Sequence, residues 1–135
     1  MPGTGIGYTG FPSPAQDFTE SRLDLNRLVI AHPLATFFMR VSGDAMQAAG
    51  IHAGDILVVD RALNAGHRDV VVAVVEGELM VRRLWRRDGR IRLLAENPDV
   101  APLSIQGDTE LIIWGVATYV LHDLRPHRMR NAPPG

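Results

Sequence analysis

Ser42-Gly43-Asp44-Ala45-Met46 is the stretch around which the rest of the chain is arranged. It follows an apolar, strand-like run, Thr36-Phe37-Phe38-Met39-Arg40-Val41, and precedes the turn-rich Gly50-Ile51-His52-Ala53-Gly54-Asp55. Its counterpart further on is Met80-Val81-Arg82-Arg83-Leu84, inside a second extended segment. Working outward, residues 45–49 can form one helical turn that Gly50 closes, and Ile56-Leu57-Val58-Val59-Asp60 reads as a buried strand. Residues 69–75 are nearly continuous valine and alanine, too apolar for a strand with one wet face, so they belong in the domain centre. Glu76-Gly77 turns the chain into residues 78–85, and Asp88-Gly89 is a two-residue hairpin signal returning it through residues 90–95. After a loop at residues 96–99, a long strand spans residues 110–121, with Gly115 marking a bulge or a close backbone approach. Upstream, Leu23, Leu25, Leu28, Val29 and Ile30 fit one short helix within residues 22–31, bounded by Asp24 and His32-Pro33. Closely spaced strands with Gly/Asp turns and one helix predict a mostly β domain; the pattern leaves sandwich and barrel open.

At 135 residues the chain has room for one domain. We expect a flexible N-terminal arm at residues 1–21, rich in Gly and Pro, a β domain at 22–122, and a disordered tail at 123–135. The 46% hydrophobic content suits a soluble globular core, and the net charge of −1 gives no global attraction to nucleic acid or membrane. Absence of cysteine excludes a disulfide scaffold and thiolate zinc sites. With no signal-peptide pattern and no apolar run long enough to cross a bilayer, the expected location is cytoplasmic. All 14 basic residues are arginine.

The two opening stretches, at their mutual spacing, resemble the self-cleaving S24 peptidases, the family of LexA and UmuD. In that family a Ser-Gly-Asp-Ser-Met motif supplies a nucleophilic serine, and a lysine on a later strand is its general base. The resemblance covers about residues 8–122, with Gly54-Asp55-Ile56-Leu57-Val58-Val59-Asp60 and Gly77-Glu78 at the family's spacing. It implies the β-clip-like fold of LexA and UmuD C-terminal domains. Gly10-Phe11-Pro12-Ser13-Pro14-Ala15-Gln16-Asp17 and Leu25-Asn26-Arg27-Leu28 narrow it to UmuD. Carried over, the family's cleavage bond is Thr9-Gly10, so the chain is similar to a processed form.

By that resemblance the nucleophile position is Ala45 and the base position is Arg82. Alanine has no hydroxyl, and a guanidinium stays protonated where a buried lysine can be neutral. In serine proteases, losing nucleophile or base costs about a million-fold in turnover, and what remains is only about a thousand-fold over water. Ser42 is the nearest remaining hydroxyl; with no neutral base, Ser42-Gly43-Asp44 is expected to be a turn held by local side-chain bonds, with Met46 completing the motif loop. Arg82 is expected to fill the lysine slot and pair with a carboxylate such as Asp44.

The resemblance therefore implies a pseudo-peptidase acting as an interaction subunit. Its partners would be a second copy, a UmuC-like Y-family polymerase in SOS translesion synthesis, a RecA filament, or an active UmuD in a heterodimer. The arm residues Phe11, Pro12, Pro14 and Phe18 are its contact candidates, and Ile112, Trp114 and Val116 on the last strand are a candidate dimer surface. The alternative from the enzyme class is an active Ser/Lys self-cleaving peptidase in which Ala45 replaces an original serine. A LexA-type repressor would need a helix-turn-helix segment before the domain, so direct sequence-specific DNA binding is not expected.

Other patterns carry less. Gly5-Ile6-Gly7-Tyr8-Thr9-Gly10 formally matches a dinucleotide-binding loop, but Phe11-Pro12-Ser13-Pro14 follows where a helix should open. His67-Arg68-Asp69 imitates a kinase triplet in a chain far too short for a kinase. Arg82, Arg83, Arg86, Arg87, Arg90 and Arg92 make a basic hairpin, read as solubility and edge protection rather than a DNA contact. The five histidines show no zinc-site spacing, so no metal and no cofactor are assigned.

Overall fold

The computed structural model describes residues 23–125. Thr9, Gly10, Phe11, Pro12, Pro14 and Phe18, with the rest of the expected arm and most of the expected tail, lie outside the described residues. Seven strands form one antiparallel sheet: β1 (Thr36–Arg40), β2 (Ile56–Asp60), β3 (Val70–Val75), β4 (Glu78–Arg87), β5 (Arg90–Leu94), β6 (Leu103–Ile105) and β7 (Leu111–Leu121). Their spatial order is β1-β2-β7-β3-β4-β5-β6. This is the mostly β architecture of the LexA/UmuD β-clip type that the motifs implied. Among the described residues one short helix, α1 (Leu25–Val29), precedes it, starting where the Asp24 carboxylate accepts from the Asn26 amide at 3.1 Å. Helix α1 ends at Ile30, earlier than the apolar pattern suggested, before the His32-Pro33 pair.

The valine run makes β3 the middle strand, paired with β7 on one side and β4 on the other. Its alternate side chains enter opposite cores. Val72 packs with Met46, Ile51, Leu57 and Val59, whereas Val71, Ala73 and Val75 pack with Leu84 and Leu93. Val71, Val72 and Ala73 are all fully buried. Complete burial of a valine contributes roughly 1.5–3 kcal/mol, which is why a strand without a polar face suits this place.

Both predicted turns are two-residue hairpins with positive φ at each central position: Glu76 (49°) and Gly77 (82°), Asp88 (53°) and Gly89 (75°). Strand β7 carries two irregularities, one where its register to β3 slips at Trp114 and one where its register to β2 slips at Thr118. Gly115 sits beside the first. A Cβ there would lie 2.6 Å from Val59 Cγ1, so the close approach expected from the sequence is real and only glycine fits it. Strand β6 was not foreseen: it has only three residues, and it pairs Ser104 with Arg92 at the sheet edge.

Candidate functional site

A cleft of about 370 Å³ opens between two walls. One wall is the end of β1 with the motif loop through Met46, and the other is the first half of β4, Glu78 to Arg82. Met39, Ile51 and Leu57 also line it. The structure thus brings Ala45 and Arg82, thirty-odd residues apart in the chain, to the same cleft together with Ser42, Gly43, Asp44 and Met46.

The motif loop is held from outside. The Glu96 amide donates to the Ala45 carbonyl at 2.8 Å, the Ala48 amide donates to the Glu96 carbonyl at 2.8 Å, and Asn97 Nδ2 donates to the Asp44 carbonyl at 2.9 Å. Met46 anchors it from below at 3% exposure. Gly43 turns the backbone with a φ of 86°, and Gly50 ends the short 3-10 turn Gln47–Ala49 in the same left-handed conformation. This corrects the expectation for Ser42 and Asp44. Among the described residues their side chains make no local hydrogen bond; glycine geometry and the Glu96-Asn97 loop shape the turn instead.

Arg82 also departs from expectation. Among the described residues it forms no ion pair with Asp44 or any other carboxylate; one guanidinium nitrogen donates to the Val81 carbonyl at 2.8 Å. Partial burial pulls its pKa down and the field of Glu78 pulls it up, with a net lowering. A guanidinium lowered from so high a starting value still keeps its proton at neutral pH. The next residue, on the opposite side of β4, behaves differently. Arg83 Nε meets Glu96 Oε2 at 2.6 Å and its Nη1 reaches the Arg68 carbonyl at 2.9 Å. Arg83 holds the Glu96 carboxyl below its ordinary value, against the opposing effect of burial.

The last strand does not present the single stripe foreseen for it. The irregularity at Trp114 breaks the alternation, so Ile112, Trp114 and Val116 do not form one surface. Ile112 is 51% exposed and Val116 only 5%. Trp114 is half-buried, stacked under the Arg61 guanidinium at 4.3 Å and edge-on to Phe37 at 5.3 Å. In the basic hairpin, several arginines are tied to the protein. Arg86 donates to the Ala65 carbonyl, and Arg92 lies 5.6 Å over Trp85. His67-Arg68-Asp69 is a turn, with Asp69 accepting from the Gly66 amide at 2.8 Å.

Two histidine–aspartate groups escaped the sequence reading. They sit at the two ends of β2. At one end His32 Nδ1 meets Asp60 Oδ2 at 2.7 Å, and that hydrogen bond lowers the Asp60 carboxyl below its usual value. At the other, Asp55, with a fully buried side chain, accepts from His122 Nδ1 at 2.6 Å and from the His52 amide at 2.8 Å. Burial alone would raise the Asp55 carboxyl; the bonds from His122 and His52 and the nearby imidazoles outweigh it, leaving it lowered. Asp55 and His122 are 67 residues apart, and no spacing rule links them.

A Ser-Gly-Asp-x-Met loop facing the start of a long hairpin strand, on an antiparallel sheet of this order, defines an S24-type domain. The chain belongs to the Peptidase S24-like family, with residues 7–118 matching it. It is 43% identical over 120 residues to protein ImpA of Escherichia coli, covering 88% of this chain and 81% of that protein. It is 47% identical over 116 residues to protein SamA of Salmonella typhimurium strain LT2, covering 86% and 80%. It is 46% identical over 113 residues to protein MucA of Escherichia coli, covering 83% and 77%. The UmuD-like resemblance drawn from the motifs is borne out. No helix among the described residues is long and apolar enough to cross a membrane.

Proposed function

We propose that this chain is a catalytically inactive UmuD-like subunit, an S24 domain used for binding rather than for cutting. The observation that carries the reading is the cleft, where an alanine methyl and a protonated guanidinium occupy the positions that in the family hold the serine and the lysine. No lysine exists elsewhere in the chain to act as base. The intact scaffold around those positions supports a retained binding role: the loop wall keeps three hydrogen bonds to Glu96 and Asn97 although it has no reaction to serve.

By the family resemblance, the subunit forms a homodimer and joins a UmuC-like Y-family polymerase in translesion synthesis during the SOS response. A RecA filament and an active UmuD are further partners implied in the same way. The arm residues Phe11, Pro12, Pro14 and Phe18 are the proposed partner contacts, and Ile112 is the member of the β7 set that keeps an open apolar surface. The test is incubation with activated RecA filaments followed by intact-mass measurement, for this chain and for an Ala45→Ser, Arg82→Lys double variant. The expected result is no cleavage at Thr9-Gly10 in the natural sequence. A chain that shortens itself under these conditions would overturn the reading. For the binding role, light scattering should give the mass of a dimer, and Phe11→Ala should weaken capture of the polymerase.

A further inference from the structure

We propose that His52, Asp55 and His122 form a zinc-binding site, independent of the cleft and of the functional reading above. The ligand atoms of the three side chains lie within 4.8 Å of one another. Two imidazoles and one carboxylate, with room left for water, are the donor set of an open tetrahedral Zn²⁺ site.

The sheet builds the site. The register pairs Ile56 with Leu121, so the residues just beyond that pair, Asp55 and His122, face each other across β2 and β7. His52 is brought back by the turn before β2, in which the Asp55 amide donates to the His52 carbonyl at 3.0 Å. A second bond fixes that turn to the residue just after β1: the Gly54 amide donates to the Val41 carbonyl at 2.8 Å. The three donors are therefore held by backbone pairing rather than by flexible stems. The Asp55 side chain is at 0% exposure while His52 and His122 are at 45% and 36%, so a buried anion forms the floor and two half-open rings form the rim.

The geometry needs side-chain rotations that draw ligand atoms now up to 4.8 Å apart to tetrahedral spacing. With Zn–N and Zn–O near 2.0–2.1 Å, ligand atoms around a tetrahedral ion stand roughly 3.3–3.5 Å apart. His52 Nδ1 is 3.7 Å from Asp55 Oδ2, and the two rings have centroids 5.1 Å apart. The 2.6 Å contact between His122 Nδ1 and Asp55 Oδ1 has to open by under an ångström. Because an ionised carboxylate only accepts, His122 carries its hydrogen on Nδ1 when no metal is bound. The ion takes that hydrogen's place: a neutral ring moves its proton to Nε2, and a protonated ring releases one to solvent. The His52 amide keeps its bond to the carboxylate and orients it. Arg40, whose guanidinium donates to the Gly54 carbonyl at 2.8 Å, adds a neighbouring positive charge that weakens binding without taking a ligand atom.

The opposite end of β2 supplies an internal control. His32 and Asp60 repeat the pair with one imidazole fewer, and two donors do not make a zinc site. The experiment is thermal unfolding of the untagged full chain with and without ZnCl₂, together with visible absorption of the Co²⁺-loaded protein. Zn²⁺ should raise the midpoint by several degrees, EDTA should reverse the rise, and Co²⁺ should give the intense bands of a tetrahedral N/O site. His122→Asn should weaken Zn²⁺ binding by about tenfold or more and abolish those bands. His52→Ala gives the same test in a fold kept intact, because the amide that holds Asp55 survives the substitution. His32→Asn should bind as the natural sequence does. No Zn²⁺-dependent rise, or a rise that persists in His52→Ala and His122→Asn, would overturn the assignment.

Discussion

The two walls of the cleft are stabilised in different ways. The β4 wall is an ordinary ladder strand, with Glu78 through Arg82 each opposite a residue of β3. The loop wall has no ladder; it hangs from the Glu96-Asn97 loop by backbone and amide bonds, and that loop is fixed in turn by the Arg83–Glu96 ion pair. Both Ala45 and Arg82 take part through their backbones, and neither wall is tied to the other by their side chains. The difference teaches that the side chains at positions 45 and 82 are not what holds the cleft open, because the frame is built by backbone pairing and by their neighbours. Arg82 and Arg83 state the contrast most sharply: one is a spare charge in the cleft, while its neighbour ties the opposite wall in place.

The strongest way to break the contrast is to remove what the walls share. Leu57 is 1% exposed and lines the cleft floor, and Leu57→Ala should cost about 2–5 kcal/mol in urea unfolding and loosen both walls together. Gly115→Ala touches neither wall. The clash with Val59 Cγ1 should still destabilise the protein by about 1–3 kcal/mol, read in the same assay, while leaving the amide protection of the loop wall at its natural rank.

Smaller effects sharpen the comparison. Glu96→Gln should cost about 1 kcal/mol and raise the hydrogen exchange of the Ala48 amide more than that of β4 amides. The same clamp has a pH signature. Glu96, Asp55 and Asp60 are all lowered in the folded protein from ordinary values of 4.5, 3.8 and 3.8. The unfolded chain therefore binds more protons in the acid range, so stability rises with pH there. The contribution is complete above the ordinary values and disappears as pH falls through the lowered ones. Melting curves between neutral pH and acid should show this decline, with a smaller amplitude in Glu96→Gln. Ala45→Ser should change unfolding free energy by less than about 0.5 kcal/mol, since position 45 is held through its carbonyl.

The strand wall was legible in the sequence because alternation and the valine run announce themselves locally. The hairpins at Glu76-Gly77 and Asp88-Gly89 and the tight fit at Gly115 were legible for the same reason: glycine chemistry is local. The loop wall was not, because its supports come from Glu96 and Asn97, in a segment that reads only as a loop. The pairing expected between Arg82 and Asp44 is not formed: the Arg82 guanidinium donates to the Val81 carbonyl, and the Asp44 carbonyl takes the Asn97 amide. The stripe expected on β7 failed because one extra residue at Trp114 reverses which side chains point inward, a shift that no periodicity rule foresees. The pairings of His32 with Asp60 and of His122 with Asp55 were hidden by distance along the chain.

The place of β7 has a consequence for biogenesis. It is inserted between β2 and β3, yet it follows every other strand in the chain. A ribosome releasing this polypeptide therefore emits two bare valine-rich edges, at Ile56–Asp60 and Val70–Val75, tens of residues before their common neighbour exists. During that interval the nascent sheet is open down its middle, the condition that favours pairing with foreign strands. The domain closes as a zip does at its last tooth, and a chain stopped short of Leu111 would lack the strand that joins its two halves.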